Sequence, residues 1–253
     1  MEEFIARGTN LPSAYHLALL QLSQAPIVPC PDWNTTQKEC SMTMVVTNPL
    51  EEPMISRCAF VDPMSLEQYR QEIVDGILDF EVSKGNWKYT YHDRMANYDI
   101  GDDITINQLT FIIEELQRNP YSRRAVIDVR NNKEDTFNDD PACLQHIQFF
   151  IRDDLLHMKV LFRSNDACKA AFTNAFGLIC LQVNIADNLG VGVGTYTHRA
   201  NSFHCYERDF KLLESYTARI IKGKDLFYNY TDEWEYLMEE AIPEIQKKID
   251  ILK

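Results

Sequence analysis

Residues 139–178 read DDPACLQHIQFFIRDDLLHMKVLFRSNDACKAAFTNAFGL, and their reading decides the rest of the fold. Two strand-like runs, LQHIQFFIR (144–152) and LLHMKVLFR (155–163), flank Asp153-Asp154. A hairpin centred on those two acids sets residues equally distant from the turn opposite one another. Cys143 then faces Ser164 and lies beside Arg163, at about 5–8 Å for opposite and diagonal neighbours. A guanidinium at that range favours thiolate over thiol, and the thiolate is the nucleophile. A cysteine near an arginine also fits a purely structural role, so further residues must separate the two readings.

Working outward, 166–188 reads as a long helix, apolar on most sides and stopped at Gly190, which belongs at the centre of the molecule. Upstream, TNLPSAYHLALLQL (9–22) has a capped, helical pattern, and SMTMVVTNP (41–49) reads as a strand stopped at Asn48-Pro49. SLEQYRQEIVDGIL (65–78) is amphipathic, with Leu66, Tyr69, Ile73 and Ile77 on one side and Ser65 as N-cap. NWKYTYHDRM (86–95) is either a short strand or an irregular loop. TINQLTFIIEELQRNP (105–120) is a further amphipathic helix ended by Pro120, and RRAVIDVRN (123–131) a strand. Downstream, 190–208 reads as strand and loop, and 231–252 as the closing helix. His146 and His198 are read as structural, and GVGVG (190–194) as a strand entrance, because no Lys-Ser/Thr follows it.

This pattern predicts a single α+β domain over 1–253, with a mixed, twisted β-sheet and a long buried central helix. At 253 residues and 45% hydrophobic content, such a core is affordable. Residues 1–6 hold no apolar core, so no signal peptide is expected, and no apolar run nears the roughly 18 residues that cross a bilayer. A cytoplasmic protein is therefore expected. The formal net charge of −13 argues against nucleic acid and anionic membranes as partners. Seven cysteines, an odd number without CxxC spacing, predict neither a disulfide framework nor a metal site.

A phosphate ligand in so acidic a chain needs arginines gathered locally. PYSRR places Arg123 and Arg124 at the start of a strand, and the planar guanidinium fork suits a phosphate dianion. Two solvated strand-end charges are the alternative. NPYSRRAVIDV, DPACLQHIQFF, FRSNDACKAAFTNAFGL and SFHCY together resemble the thymidylate synthase and nucleotide hydroxymethylase family. The match runs over 108–206, about two fifths of the chain. It leaves 1–107 as a divergent N-terminal part and 207–253 as a C-terminal part without the family's folate-closing tail.

The resemblance implies that Cys143 adds to C6 of a pyrimidine nucleotide and makes C5 nucleophilic towards the one-carbon unit of 5,10-methylenetetrahydrofolate. It implies phosphate contacts from Arg163 and Ser164, with Arg123 and Arg124 reaching in from the partner subunit of a homodimer joined through a sheet face. Asp166 meets the pyrimidine edge, and a helix N-cap role is compatible with that. Asn174, eight residues after Asp166, can donate to O4 and accept from N3–H of uracil. The family's cytosine hydroxymethylases carry aspartate there, so the resemblance favours uracil. His204 and Tyr206 match the pair on the sugar 3′-hydroxyl, favouring deoxyribose, and Tyr91 resembles an aromatic of the family's site. For the catalytic glutamate, Glu67 and Glu72 both qualify by order, and Glu72 is preferred.

The implied activity is one-carbon transfer to C5 of a deoxynucleotide 5′-monophosphate, most simply dUMP to dTMP. A hydroxymethyl product and a non-catalytic nucleotide-binding relative are the alternatives. Departures from the family pattern lie at DWNTTQKECS (32–41), which has Lys38 but no arginine, at Phe162, at Leu144 and at the terminal KKIDILK.

Overall fold

The computed structural model describes residues 1–253. The chain opens with β1 (Glu3–Gly8), α1 (Leu11–Gln24), β2 (Ile27–Cys30) and β3 (Thr35–Val46). Next come β4 (Ile55–Ser56), α2 (Pro63–Val74), α3 (Asp79–Ser83), α4 (Tyr91–Ala96), β5 (Tyr98–Gly101), β6 (Ile104–Ile106) and α5 (Gln108–Arg118). The middle of the chain forms β7 (Val126–Asp128), α6 (Asn132–Asp135), β8 (Leu144–Arg152), β9 (Leu155–Asp166) and α7 (Ala171–Leu189). It closes with β10 (Gly192–Tyr206), α8 (Phe210–Lys222), β11 (Phe227–Tyr228) and α9 (Glu235–Leu252).

Local chemistry explains most of the helix ends. The Asn10 side chain accepts from the Ser13 N–H, and the Asn10 backbone N–H donates to the Ser13 hydroxyl oxygen in return, with Pro12 pre-set in the first turn of α1. The same reciprocal cap starts α2 at Asp62, with Pro63 following, so Ser65 is the third helical residue and not the N-cap expected from sequence. Helix α7 stops where Gly190 takes a left-handed conformation at φ 67°.

The main sheet is mixed, in the order β1-β3-β10-β9-β8-β7, with β2 added to β3. β1 runs parallel to β3 and β9 parallel to β10, while the other neighbours are antiparallel. On one face, rows such as Met42–Ala200–Phe162–Leu144 and Met44–His198–Val160–Ile147 are buried. Helix α7 lies on this face against β9 and β10, and it also meets α1, α2 and α5. On the other face, Thr43, Arg199, Leu161, Thr197, Lys159, Gln148 and Phe150 are half-buried or exposed. No helix is long and apolar enough to cross a membrane.

Several local expectations need correction. NWKYTYHDRM contributes a short helix, α4, because Thr90 caps it by accepting from the Asp93 N–H. The strand expected over 123–131 shrinks to β7, and that over 41–49 extends back to Thr35. β1, β5 and α8 lie where no element was expected, and β6 (Ile104–Ile106) takes the start of the stretch read as a helix from 105, which begins instead at Gln108. The long helix starts at Ala171, since β9 runs on through Asp166 as partner of β10.

The hairpin itself pairs as expected from Arg152–Leu155 back to His146–Leu161, with Asp153 and Asp154 both at positive φ in the turn. A bulge between Leu144 and His146 then shifts the register by one residue. Cys143 therefore meets Arg163, whose N–H donates to the Cys143 carbonyl at 2.8 Å, and does not face Ser164.

Candidate active site

The bulge delivers Cys143 to a cleft of about 780 Å³ at the C-terminal ends of the parallel strands β9 and β10. Into it project Arg163, Ser164, Asn165 and Asp166 from β9, His204 and Tyr206 from β10, and Asn174 from the second turn of α7. Tyr69 of α2 and Tyr91 of α4 close the inner wall, while Asp32, Trp33, Asp139 and Asp140 form the rim. Of the eleven residues singled out from sequence, eight gather here: Cys143, Arg163, Ser164, Asp166, Asn174, His204, Tyr206 and Tyr91.

Arg163 is held in place by backbone. Its Nη2 donates to the Pro141 carbonyl at 2.6 Å and its Nε to the Ala142 carbonyl at 3.2 Å, folding the guanidinium over the residues before Cys143. Burial pushes the Cys143 thiol up; Arg163 pulls it down, and Asp140 adds a further upward push. Desolvation outweighs the arginine, so the resting group is held more firmly as thiol than the arginine alone predicts.

Asp166 is a turn cap rather than a helix cap, its Oδ1 accepting the N–H groups of Cys168 at 3.0 Å and Lys169 at 3.1 Å. Asn174 is 8% exposed, and its Oδ1 accepts the Tyr69 hydroxyl at 2.6 Å. Nδ1 of His204 lies 3.4 Å from both Ser164 Oγ and Ser202 Oγ, and Tyr206 packs edge-on against the ring at 4.7 Å. Burial holds His204 below the usual imidazole value, against an upward pull from Asp166 and Glu39. The Tyr91 hydroxyl accepts the Leu144 N–H at 3.4 Å, and burial followed by nearby Cys143 pushes its ionisation up.

Beneath the cleft, His198 is structural, as its sequence context indicated. It stacks on Phe162 at 4.6 Å, and its Nε2 lies 2.8 Å from Asn165 Oδ1. Burial lowers it to about 3, so it stays neutral. His146 sits near the surface, 3.0 Å from Asp128.

Three expected residues stand elsewhere. Arg123 and Arg124 are exposed and do not line the cleft of their own chain. Arg124 instead bonds Glu115 at 2.9 Å, together with Ser122 and Arg118, and these donors, Ser122 foremost, hold that carboxyl at about 2. Glu72 occupies a smaller pocket of about 150 Å³ that shares Tyr69 and Tyr91 with the cleft and adds Ile73, Leu78, Trp87, Tyr89 and Thr90. Burial pushes its carboxyl up, partly offset by a 2.8 Å bond from Gln68. Glu67 is unavailable: it is buried against Arg70 at 2.8 Å and Gln71 at 2.7 Å. Lys38 points away as well, donating to the carbonyls of Ser23 and Ala25.

Asp139, Asp140, Asp32, Trp33 and Trp87 were given no role in the sequence reading, Asn165 only a place in the Arg-Ser-Asn-Asp motif, and Tyr69 only a place on an apolar helix face. The one trace of Tyr69 was a hydroxyl on an otherwise apolar stripe. No group of three or more His, Cys, Asp or Glu side chains is arranged to hold a metal ion.

The sequence profile of thymidylate synthase matches residues 61–229, a span containing the whole cleft except its Asp32–Trp33 rim. The chain belongs to the thymidylate synthase family. A provisionally named thymidylate synthase of Methanocaldococcus jannaschii is 38% identical over 192 residues, covering 73% of this chain and 83% of that protein. One of Methanosarcina mazei, also provisionally named, is 30% identical over 87% of this chain and 95% of its own. The thymidylate synthase of Oenococcus oeni is 30% identical over 57% of this chain and 48% of its own. Family membership makes the chain a one-carbon transferase, of a class that uses a nucleotide and a reduced folate.

Proposed function

We propose that the protein, acting as one domain, transfers the one-carbon unit of 5,10-methylenetetrahydrofolate to C5 of dUMP, giving dTMP. The observation that carries this reading is the convergence of Cys143, Arg163 and Asn174 on one cleft. These are a nucleophile, a cation for the phosphate and a carboxamide for the base edge. The Cys143 thiol loses its proton and its sulfur bonds to C6, while the C5–C6 π electrons move onto the O4 carbonyl. C5, now nucleophilic, bonds the incoming carbon. The C5 proton leaves to a base as the bond between the transferred carbon and the folate nitrogen breaks, which leaves an exocyclic methylene on the ring. For a methyl product, a hydride from the reduced folate, which departs as dihydrofolate, adds to that methylene, and the ring electrons expel the sulfur from C6 to restore the C5–C6 double bond.

Asp166 and Asn174 address the base, His204 and Tyr206 the sugar 3′-hydroxyl, and Ser164 with Arg163 the phosphate. Glu72, a carboxyl raised by its pocket, handles protons near O4 and the transferred carbon. The flat walls of Trp87, Tyr89 and Tyr69 in that pocket fit a pterin ring stacked beside the base. Methylenetetrahydrofolate, when bound, supplies the carbon and, for a methyl product, the hydride.

The cleft sets one arginine against the carboxylates of Asp32, Asp139, Asp140 and Asp166. That is a poor balance for a phosphate dianion. Arg123 and Arg124, exposed and outside their own cleft, are the natural supplement from the partner subunit of a homodimer formed on the half-exposed sheet face. Mixing inactive Cys143→Ser and Arg123→Ala/Arg124→Ala chains then restores about a quarter of native activity through hybrid dimers.

Mass spectrometry of the product tests the reaction. A dTMP mass supports it, a product heavier by one oxygen makes the protein a hydroxymethylase, and no tritium release from C5-labelled nucleotide makes it non-catalytic.

A further inference from the structure

Tyr69 approaches Asn174 across 105 positions of sequence, from α2 to α7. Its hydroxyl donates to Oδ1 at 2.6 Å and has no other protein partner, and Asn174 Nδ2 has none either. A carboxamide has two orientations that exchange a donor for an acceptor. The Watson–Crick edges of uracil and cytosine differ by the same exchange: O4 and N3–H against N4–H₂ and N3. A freely turning asparagine can therefore serve both bases.

We infer that Tyr69 is a positioning residue for pyrimidine choice, holding the Asn174 amide in the single orientation that suits uracil. Turning the amide over would place its NH₂ against the phenol oxygen and leave the half-buried phenol proton without a protein acceptor once a bound base covers it. The donor is permanent, because burial keeps the Tyr69 hydroxyl protonated far above its ordinary range.

A second observation points the same way. Gly177 lies one turn beyond Asn174 on α7, and a Cβ there would sit 2.8 Å from Tyr69 Cδ1 and 2.9 Å from Cε1. Glycine inside a helix is unfavourable relative to alanine, and here it leaves the slot through which the ring reaches the amide. An ordinary core tyrosine needs neither that slot nor a cleft-lining partner.

The inference rests on the reading that Asn174 faces the base. The full-length protein is assayed with methylenetetrahydrofolate for C5 tritium release from dUMP and from dCMP, in native form and as Tyr69→Phe and Gly177→Ala. Native protein favours dUMP, and in each variant the dUMP-to-dCMP ratio of kcat/KM falls about tenfold, the scale of one buried hydrogen bond. A purely structural tyrosine would lower both rates together and leave the ratio unchanged. An unchanged ratio in folded Tyr69→Phe overturns the inference while the proposed reaction stands. Should Tyr69→Phe not fold, an unchanged ratio in Gly177→Ala overturns it. Absence of release from either nucleotide with native protein removes the proposed reaction and this inference together.

Discussion

The large cleft and the small pocket beside it share two tyrosines and little else. The cleft is polar, about 780 Å³, and built mainly from strand ends that carry Arg163, Asp166 and His204. The pocket, about 150 Å³, is walled by aromatic and aliphatic side chains from the helical layer around one carboxyl, Glu72. Burial nevertheless raises both the Cys143 thiol and the Glu72 carboxyl. A dianionic ligand beside the first would push it up further unless partner arginines accompany it, and an apolar ligand over the second would raise that carboxyl further. On the proposed reading, the two adjacent cavities divide the work, one recognising charge and hydrogen-bond pattern, the other stacking a flat ring and moving protons.

That division can be broken by substitution. Cys143→Ser should abolish turnover and the covalent nucleotide adduct seen by mass spectrometry, while calorimetry still detects nucleotide binding, since a hydroxyl is far less acidic than a thiol. Surviving turnover would remove Cys143 from the nucleophile role. Glu72→Gln should lower kcat about 100-fold with nearly unchanged nucleotide affinity. A rise in nucleotide Kd instead would mean that the two cavities act as one. Arg163→Ala should do the reverse, weakening nucleotide monophosphate binding by about 3 kcal/mol, the loss of a charged hydrogen-bond pair. Equal effects on nucleoside and nucleotide would show that Arg163 does not serve the phosphate. Asn174→Asp should shift preference towards cytosine, and an unaltered preference would move base recognition elsewhere.

The smallest effect concerns stability. The Glu72 carboxyl is raised in the folded state, so folded protein binds more protons than unfolded and loses stability as pH rises from about 4.5 through the raised value. Glu72→Gln should flatten that decline in Tm-versus-pH scans. A native curve without the decline would place the carboxylate in a solvated environment.

Legibility differed sharply between these regions. The Asp153-Asp154 turn, the alternating strands, the Gly190 stop and the clustered motif residues could be read because each depends on neighbours a few positions away. Lys38 looked available until its ammonium was found on the carbonyls that end α1. Cys143 lines the cleft but meets Arg163 and not the expected Ser164, because a bulge costs one residue and leaves no mark in an alternating pattern. NWKYTYHDRM was ambiguous because only the Thr90 cap, a single hydroxyl, tips it to helix.

By itself the amino-acid order determined the hairpin, the buried helix and the set of polar side chains that chemistry could use, since period, caps and turns are short-range properties. Only tertiary packing decided that Cys143 meets Arg163, that Glu67 is spent on Arg70 while Glu72 faces a pocket, and that Tyr69 bonds Asn174. Such partners are chosen by how layers stack, and a contact spanning 105 residues has no local period to announce it.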